Sequence, residues 1–381
     1  MATAAMRIAL TLPSLAGGGA QRIFVDLARG LLDRAVDVDI VLVRDEGELR
    51  DSVPREAEVV RLGGGPVSQA VPKLARYLGT RRPDVVVPAI FHMSLCTLLA
   101  ARLVRPRVPV VVSHHNQLTL FARHGLHAKD RVVPCLVRAG YPLADGVVAV
   151  SEGVAEDLAS VTRLPRSAID VVYNPVDSDR VGAAAAAPVE HPWLADRAAP
   201  VLVAAGRLTA QKDFATLLRA LALLDGDVRL VVLGEGELRP ELEGLARDLG
   251  VDDRVDLPGF TANPYPSYRA ADAFVLSSRW EGLPTVLVEA LVLGVPIVAT
   301  DCPSGPAEIL AGGRWGRLVP TRDPEAMAAA IGETLAAGRP PADPAAWERF
   351  RLDVVSARWV DLLGAVARDR GRSLERLRVR A

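Results

Sequence analysis

The stretch AFVLSSRWEGLPTVLVEALVLGVPIVAT, residues 273–300, decides the fold class. Its pattern predicts a buried strand, a polar loop, an apolar helix that begins at Pro284, and a second buried strand. A strand–helix–strand unit with Val-rich strands is typical of a parallel sheet covered by helices on both faces. Glu281 in the loop and Glu289 within the helix break the apolar pattern. A carboxylate buried there needs partners, and an arginine or the paired hydroxyls of a sugar or ribose would satisfy it.

The same alternation of strand and helix patterns runs along most of the chain, with one break. Buried-strand patterns before the break include MRIALTL, VDIVLV, DVVVPAI, VPVVVSHH and ADGVVAVS, and those after it include PVLVAAGRL, VRLVVLGEG, RVDLPGF and GRLVP. Residues 181–200 read as a surface connector. The sequence therefore predicts an α/β protein of two doubly wound domains, 1–176 and 177–355, with a C-terminal helix of about 356–381 that packs on the first domain.

Composition and charge argue against several classes of protein. The 381 residues include 45 basic and 46 acidic side chains, so the net charge of −1 gives no general attraction to nucleic acid. The three cysteines lie far apart without metal-ligand or disulfide spacing, which predicts reduced thiols in a cytosolic protein. No uncharged apolar run reaches the roughly 18 residues of a membrane span, and MRIALTL is too short for a signal-peptide core. We therefore expect a cytoplasmic protein.

Glycines and cations follow the first strand of each predicted domain. Gly18 and Gly19 lie between a strand and a helix, where backbone N–H groups can meet an anion, although an ordinary turn has the same pattern. Arg207 and Lys212 would clamp a diphosphate, unless they are solvated surface charges. Ligands bind at the carboxyl ends of parallel strands, so these groups are expected to line a cleft between two facing sheets.

Other residues were weighed for a chemical role. His115 ends a strand in SHHNQ and would point into the cleft, although a structural histidine bonded to a backbone carbonyl fits equally well. The D-x-D pattern occurs at 37–39, 177–179 and 225–227, but so short a match arises by chance, and we interpret these aspartates as structural. Without H-E-x-x-H, paired cysteines or G-x-S-x-G, the sequence predicts neither a metal site nor a serine nucleophile.

Taken together, these motifs resemble those of the retaining, nucleotide-sugar-dependent glycosyltransferases of family 4, which have the GT-B fold. The resemblance is strongest in RLVVLGEGELRPELE, in the block from LPGF to PAEIL, and in GRLVP. Within that block the two glutamates form an E-x7-E pattern, flanked by EGLP and GVPIVATD. The resemblance implies two facing Rossmann-like domains with a deep interdomain cleft. It is weakest over residues 45–110, where acceptor recognition usually lies.

The resemblance also implies which residues bind the nucleotide part of the donor. Gly18 and Gly19 would approach the donor phosphates. Arg207 and Lys212 would hold the diphosphate leaving group. Glu289 would accept hydrogen bonds from the ribose hydroxyls.

The remaining implied roles concern the transferred sugar. Glu281, with the backbone of Gly282 and Leu283, would bind the hydroxyls of that sugar. His115 would face the reacting centre, with its neighbour His114 as the alternative for the same role.

The expected reaction is the transfer of a sugar, with retention, from a nucleoside diphosphate sugar to an acceptor hydroxyl. Family frequency favours a UDP-sugar, and the resemblance favours a glycan or lipid-linked acceptor in cell-envelope synthesis. Cationic side chains and helix dipoles would stabilise the leaving diphosphate, so no metal or other cofactor is expected. The alternatives are a GT-B nucleotide-sugar epimerase, which would release epimerised donor without an acceptor, and a non-catalytic sugar-nucleotide-binding protein.

Two basic, partly apolar segments suggest a peripheral contact with the inner face of the cytoplasmic membrane. Residues 118–138 mix leucines and phenylalanine with arginine and lysine, and residues 368–380 contain six arginines against two acids. Such a surface suits an anionic bilayer. The alternative interpretation is an ordinary solvated helix face.

Overall fold

The computed structural model describes residues 6–16, 18–124 and 131–379. It divides the chain into two compact units. The first comprises Met1–Pro175 and Phe350–Ala381, and the second comprises Val176–Arg349. Each unit is a parallel sheet with helices packed against it, which confirms the predicted α/β class.

The first unit is built around parallel strands. Within the described residues they are β1 (Arg7–Leu12), β2 (Asp37–Leu42), β3 (Glu58–Arg61), β4 (Val85–Pro88), β5 (Val111–His114), β6 (Gly146–Ala149) and β7 (Asp170–Val171). Four of them pair in the order β3-β2-β1-β4 and three in the order β5-β6-β7. A backbone bridge between Val86 and Val110 connects the two groups. Strands β4 and β5 are buried along their whole length, and β1, β2 and β6 are buried at every residue but the first, which explains their continuous apolar patterns.

Helices cover this first sheet. They are α1 (Gly19–Leu32), α2 (Val71–Arg81), α3 (Phe91–Arg102), α4 (Leu118–His124), α5 (Val133–Gly140) and α6 (Glu152–Thr162).

The second unit repeats the design with six parallel strands within the described residues. They are β8 (Val201–Ala205), β9 (Arg229–Leu233), β10 (Val255–Gly259), β11 (Ala273–Leu276), β12 (Ile297–Thr300) and β13 (Arg317–Val319). Their order in the sheet is β10-β9-β8-β11-β12-β13. Because β8 lies between β9 and β11, the loops that follow these three strands emerge next to one another.

The helices of the second unit include two that the sequence reading missed. The full set is α7 (Ser178–Ala184), α8 (Pro192–Asp196), α9 (Phe214–Ala222), α10 (Arg239–Asp248), α11 (Tyr265–Ala270), α12 (Thr285–Val292), α13 (Pro306–Ile309) and α14 (Pro324–Ala337). The predicted surface connector at 181–200 is mostly exposed, but it also contains the end of α7 and the whole of α8, and it buries Val181 and Leu194. His191 also bonds to Asp256, with 2.8 Å between the ring Nε2 and the carboxylate.

The last helix, α15 (Leu352–Val379), returns to the first unit and packs against α1. The contact is close at Gly30, where an added Cβ would lie 2.8 Å from atoms of both Leu352 and Ser356. Trp359 of this helix is buried in the core that contains Phe24. The apolar side of α15 therefore completes the core of the first unit.

Candidate functional site

The loops after β8 and β11 meet in an ion pair between Lys212 and Glu281. The ammonium Nζ lies 2.5 Å from the carboxylate Oε1, and the two side chains are only 18% and 8% exposed. The hydroxyl of Ser278 donates to the same carboxylate oxygen at 2.7 Å. Two residues that the sequence assigned to different parts of a donor are thus in direct contact. The carboxylate oxygen thus accepts from two donors.

Further hydrogen bonds fix these two loops to each other. The backbone N–H of Arg279 donates to the carbonyl of Gln211 at 2.8 Å. The amide side chain of Gln211 donates to the carbonyl of Trp280 at 2.9 Å. The guanidinium of Arg279 lies 2.9 Å from the buried carboxylate of Asp213, next in sequence to Lys212. The position of the Lys212 ammonium is therefore set by several bonds.

The turn between Glu281 and α12 is buried and tightly packed. Gly282 and Leu283 are both buried, and the hydroxyl of Ser304 donates to the carbonyl of Gly282 at 3.1 Å. Gly305 has φ +100°, and an added Cβ would lie 2.9 Å from that same carbonyl oxygen. Only glycine fits both the backbone conformation and the space at this position. The backbone of the EGLP turn is thus held in one geometry.

Glu289 lies in the middle of the short helix α12 and is buried, as the sequence pattern predicted. The phenol oxygen of Tyr265, on α11, lies 3.5 Å from its Oε1. Pro284 precedes the helix, which begins at Thr285, one residue later than predicted. Tyr265 is a partner that the spacing of the glutamates could not indicate, since it comes from a different helix.

Glycines bring the loop after β9 against the loop that carries Arg207, whose side chain is exposed. An added Cβ on Gly234, which has φ +144°, would lie 2.0 Å from the carbonyl oxygen of Gly206. One on Gly236 would lie 2.4 Å from the carbonyl oxygen of Leu208. These two glycines, in the LGEGE motif, therefore permit a backbone-to-backbone contact at the carboxyl ends of β8 and β9. The sequence pattern alone did not indicate this role for the two glycines.

Gly18 and Gly19 of the first unit lie at the N-terminus of the 14-residue helix α1. Gly18 is in extended conformation, with φ −159°, and an added Cβ there would meet the flexible side chain of Gln21. An added Cβ on Gly19 would meet nothing within 4 Å. Neither glycine is explained by packing within the described protein. The space beside Gly19 is therefore open among the described residues, and the first N–H groups of a helix have no partner within the helix.

His115 follows the end of β5 and is partly exposed. Its Nε2 lies 3.0 Å from the hydroxyl oxygen of Ser113, and its ring packs against Phe24 with 5.6 Å between centroids. Burial of the ring lowers the pKa of His115 to about 4, and a hydrogen bond with Asn174 offsets part of that effect. The imidazole is therefore neutral at pH 7.

His114 is more deeply buried and has a different partner. Its Nδ1 lies 2.9 Å from the phenol oxygen of Tyr141, which is itself buried. Burial, with the nearby His115, lowers the pKa of His114 to about 3. Of the two histidines, His115 is the one with solvent access, which supports its assignment over His114.

The D-x-D aspartates have structural surroundings. Asp39 is buried in β2 and accepts a hydrogen bond from the phenol of Tyr77 at 2.6 Å. Asp177 caps α7 by accepting from the backbone N–H of Arg180 at 3.0 Å. Residues 225–227 form an exposed turn. Among the described residues, no group of three or more His, Cys, Asp or Glu side chains is arranged to hold a metal ion.

Comparisons with known proteins assign the chain to a family. The model of Glycosyltransferase Family 4 matches residues 17–180, and that of Glycosyl transferases group 1 matches residues 199–337. The lipopolysaccharide core biosynthesis glycosyltransferase LpsE of Rhizobium meliloti is 30% identical over 84% of this chain and 86% of its own.

A second relative and a solved structure agree with this assignment. The Campylobacter jejuni N-acetylgalactosamine-N,N'-diacetylbacillosaminyl-diphospho-undecaprenol 4-alpha-N-acetylgalactosaminyltransferase is 28% identical over 84% of this chain and 88% of its own. The crystal structure of HepE from Anabaena, in complex with UDP and glucose, superposes with a TM-score of 0.77 at 22% identity, covering 94% of this chain and 100% of that one. This chain therefore belongs to the family 4 glycosyltransferases, with the GT-B fold, and is a sugar transferase.

Proposed function

We propose that the protein transfers a sugar from a UDP-sugar to a lipid-linked glycan acceptor, with retention of the anomeric configuration and without a metal ion. The observation that carries the proposal is the Lys212–Glu281 pair at the carboxyl edge of the second sheet. In this pair, a cation suited to phosphate lies next to a carboxylate suited to sugar hydroxyls. Both groups lie where open parallel sheets bind their ligands.

The ammonium of Lys212 would change its partner when the donor binds. A diphosphate carries more negative charge than one carboxylate, so the ammonium of Lys212 shifts its interaction from Glu281 to the phosphates. Glu281 remains held by Ser278 and gains acceptor capacity for hydroxyls of the sugar. Arg207 adds a second cation, and the N–H groups at Gly18 and Gly19 add donors for phosphate oxygens.

In the reaction, the bond between the anomeric carbon and the β-phosphate oxygen breaks, and UDP leaves with the electron pair. The acceptor hydroxyl oxygen forms the new bond on the same face of the sugar, and its proton passes to the departing phosphate oxygen. Arg207 and Lys212 stabilise the charge that develops on that phosphate. His115, neutral at pH 7, hydrogen-bonds a hydroxyl of the reacting sugar instead of contributing a positive charge.

The choice of donor base and acceptor is supported by relatives. HepE was crystallised with UDP and with UDP-glucose. The Campylobacter jejuni relative is named for a diphospho-undecaprenol-linked substrate, and an Escherichia coli relative is named a lipopolysaccharide 1,6-galactosyltransferase. These names support an acceptor from cell-envelope synthesis and work at the inner face of the cytoplasmic membrane.

The test begins with the donor. Thermal unfolding in the presence of UDP-, GDP- and dTDP-sugars identifies the nucleotide, because a ligand at 100 times its Kd stabilises the folded state by about 2.7 kcal/mol. The donor found in this way is then incubated with undecaprenyl-diphosphate-linked acceptors in excess EDTA, and the anomeric configuration of the product is read by NMR. Inverted product, or activity that EDTA abolishes, contradicts the mechanism. Epimerised donor in the absence of acceptor identifies an epimerase, and donor binding without transfer identifies a binding protein.

A further inference from the structure

Exposed apolar side chains of the first unit are concentrated on helices α3 and α5. Eight large apolar residues are exposed among the described residues, and five of them belong to these helices or to the residues next to them. We call this set the α3–α5 face. It consists of Leu99 (58% exposed), Leu103 (68%), Val132 (52%), Leu136 (48%) and Leu143 (44%).

The two helices that carry this face pack directly against each other. An added Cβ on Gly140, at the end of α5, would lie 2.4 Å from the side chain of Leu95 on α3. The guanidinium of Arg102, at the end of α3, reaches the carbonyl of Leu143 at 3.5 Å. Leu99 and Leu103 are four residues apart, as are Val132 and Leu136, so each pair projects from one side of its helix. The five side chains thus form one surface instead of isolated exposed positions.

The charge around this face is mostly positive. Residues 85–144 contain seven arginine and lysine residues and a single acid, Asp130, although the whole chain has a net charge of −1. Arg105, Arg131 and Arg138 are exposed beside the apolar side chains. Arg107 is paired with Asp145. An apolar surface bordered by exposed arginines matches the boundary of an anionic bilayer, where apolar side chains enter the acyl region and guanidinium groups meet phosphates.

We infer that the α3–α5 face docks the enzyme on an anionic lipid bilayer. A second copy of the chain fits less well, since self-association through this face would bring two arginine-rich surfaces together. No helix among the described residues is long and apolar enough to cross a membrane. The docking surface differs in part from the one expected from the sequence. Helix α5 belongs to both, but α3 takes the place of the C-terminal arginines. Residues 125–130 and the side chains from residue 370 onward lie outside the described set.

The test is co-sedimentation of the full chain with vesicles of phosphatidylcholine, alone or with about one third phosphatidylglycerol. Binding is expected only to the anionic vesicles, and raising the salt from 0.1 M to about 0.5 M is expected to weaken it severalfold, because salt screens the arginines. The double variant Leu103→Ser/Leu136→Ser should bind at least about tenfold more weakly, since two apolar side chains no longer leave water. Its matched control is Leu223→Ser/Val354→Ser, which changes two exposed apolar residues elsewhere.

A variant that removes positive charge tests the electrostatic part of the binding independently. Arg131→Gln/Arg138→Gln should lose most of the salt-sensitive binding, whereas Arg219→Gln/Arg247→Gln, exposed arginines of the second unit, should bind as the wild type does. Wild-type protein that sediments with neither vesicle, or a patch variant that binds as its control does, overturns the inference. Concentration-dependent dimerisation that the leucine variant abolishes, without vesicle binding, assigns the face to a second copy and also overturns it.

The inference rests on the proposed function only for the location of the acceptor. UDP binding, measured by calorimetry on every variant, separates the two. If a variant of the α3–α5 face loses vesicle binding but still binds UDP, its defect is confined to the docking face. Wild-type protein that binds vesicles but no nucleoside diphosphate counts against the proposed donor and leaves the docking surface standing.

Discussion

The carboxylate of Glu281 forms an ion pair with the ammonium of Lys212, 2.5 Å away. The two residues lie 69 positions apart in the sequence and meet because their strands are neighbours in the sheet. The diphosphate of the proposed donor would compete with this carboxylate for the ammonium of Lys212. Substitutions of Glu281 are therefore expected to have different effects from substitutions of a carboxylate that has no partner within the protein.

The two glutamates are expected to respond differently to loss of charge. Glu289→Gln should weaken UDP binding about tenfold, because the ribose contact belongs to donor and product alike. Glu281→Gln should leave UDP binding unchanged or make it tighter, since Lys212 no longer has to leave a carboxylate, while kcat for transfer falls by a factor of about 100. Calorimetry with UDP and initial rates of transfer measure both effects. Equal losses of UDP affinity in the two variants would contradict the division of roles.

Asp213 is predicted to position Lys212 through its ion pair with Arg279. Asp213 is buried and has φ +49°, a conformation that asparagine also tolerates, so Asp213→Asn removes charge with little change of backbone. The variant should lose about 1–3 kcal/mol of unfolding free energy and raise KM for the donor more than it lowers kcat. Glu333→Gln, which breaks the exposed pair with Arg317, is the control and should cost less than about 1 kcal/mol. Wild-type KM in the Asp213 variant would remove the positioning role.

The substitution Gly19→Ala distinguishes between two roles for this glycine, one in folding and one in leaving room for a ligand. The added methyl group meets no protein atom within 4 Å, so folding stability should be unchanged or slightly increased. Donor affinity should nevertheless fall, because the methyl group occupies the space in front of the helix N-terminus. Gly332→Ala is the matched control: Gly332 lies within α14, and its added methyl also meets nothing within 4 Å. Unaltered donor binding in Gly19→Ala would show that the space serves no ligand.

The lowered pKa values of His114 and His115 predict how stability depends on pH. In the unfolded chain a histidine titrates near pH 6.5, whereas in the folded unit the pKa is lowered to about 3 for His114 and about 4 for His115. The unfolded chain therefore takes up protons first, and the unfolding free energy should fall as the pH drops below about 6.5. Each ring contributes a slope of up to about 1.4 kcal/mol per pH unit between pH 6 and 5.

Denaturant titrations at pH 7, 6 and 5 measure this slope. His114→Gln should be less stable than the wild type at pH 7 but should lose stability more slowly on acidification. A slope identical to that of the wild type would mean that His114 is already protonated in the folded protein or does not contribute.

Periodicity and turn residues were sufficient to predict the alternation of strands and helices, because the buried strands are continuous runs of apolar residues. The burial of Glu289 also followed from its neighbours on one helix. The pairing of Lys212 with Glu281 did not, since it depends on which strands are adjacent in the sheet, and strand order leaves no trace in hydrophobic spacing. The helices in residues 181–200 were missed for a related reason. An alanine run and prolines suggest a loop, and the burial of Val181 and Leu194 depends on tertiary packing that the local sequence does not indicate.

The return of α15 to the first unit has a consequence for the order of events during synthesis. The second unit is one continuous segment, 176–349, and can fold as soon as it leaves the ribosome. The first unit lacks Trp359 and the rest of α15 until nearly the whole chain has been made, although most of its residues are made first. Until α15 has been synthesised, the surface of α1 around Gly30 lacks the helix that packs against it. The core of the first unit is therefore expected to be completed only after the second unit has been made, and synthesis that stopped after residue 349 would give a complete second unit attached to an incomplete first one.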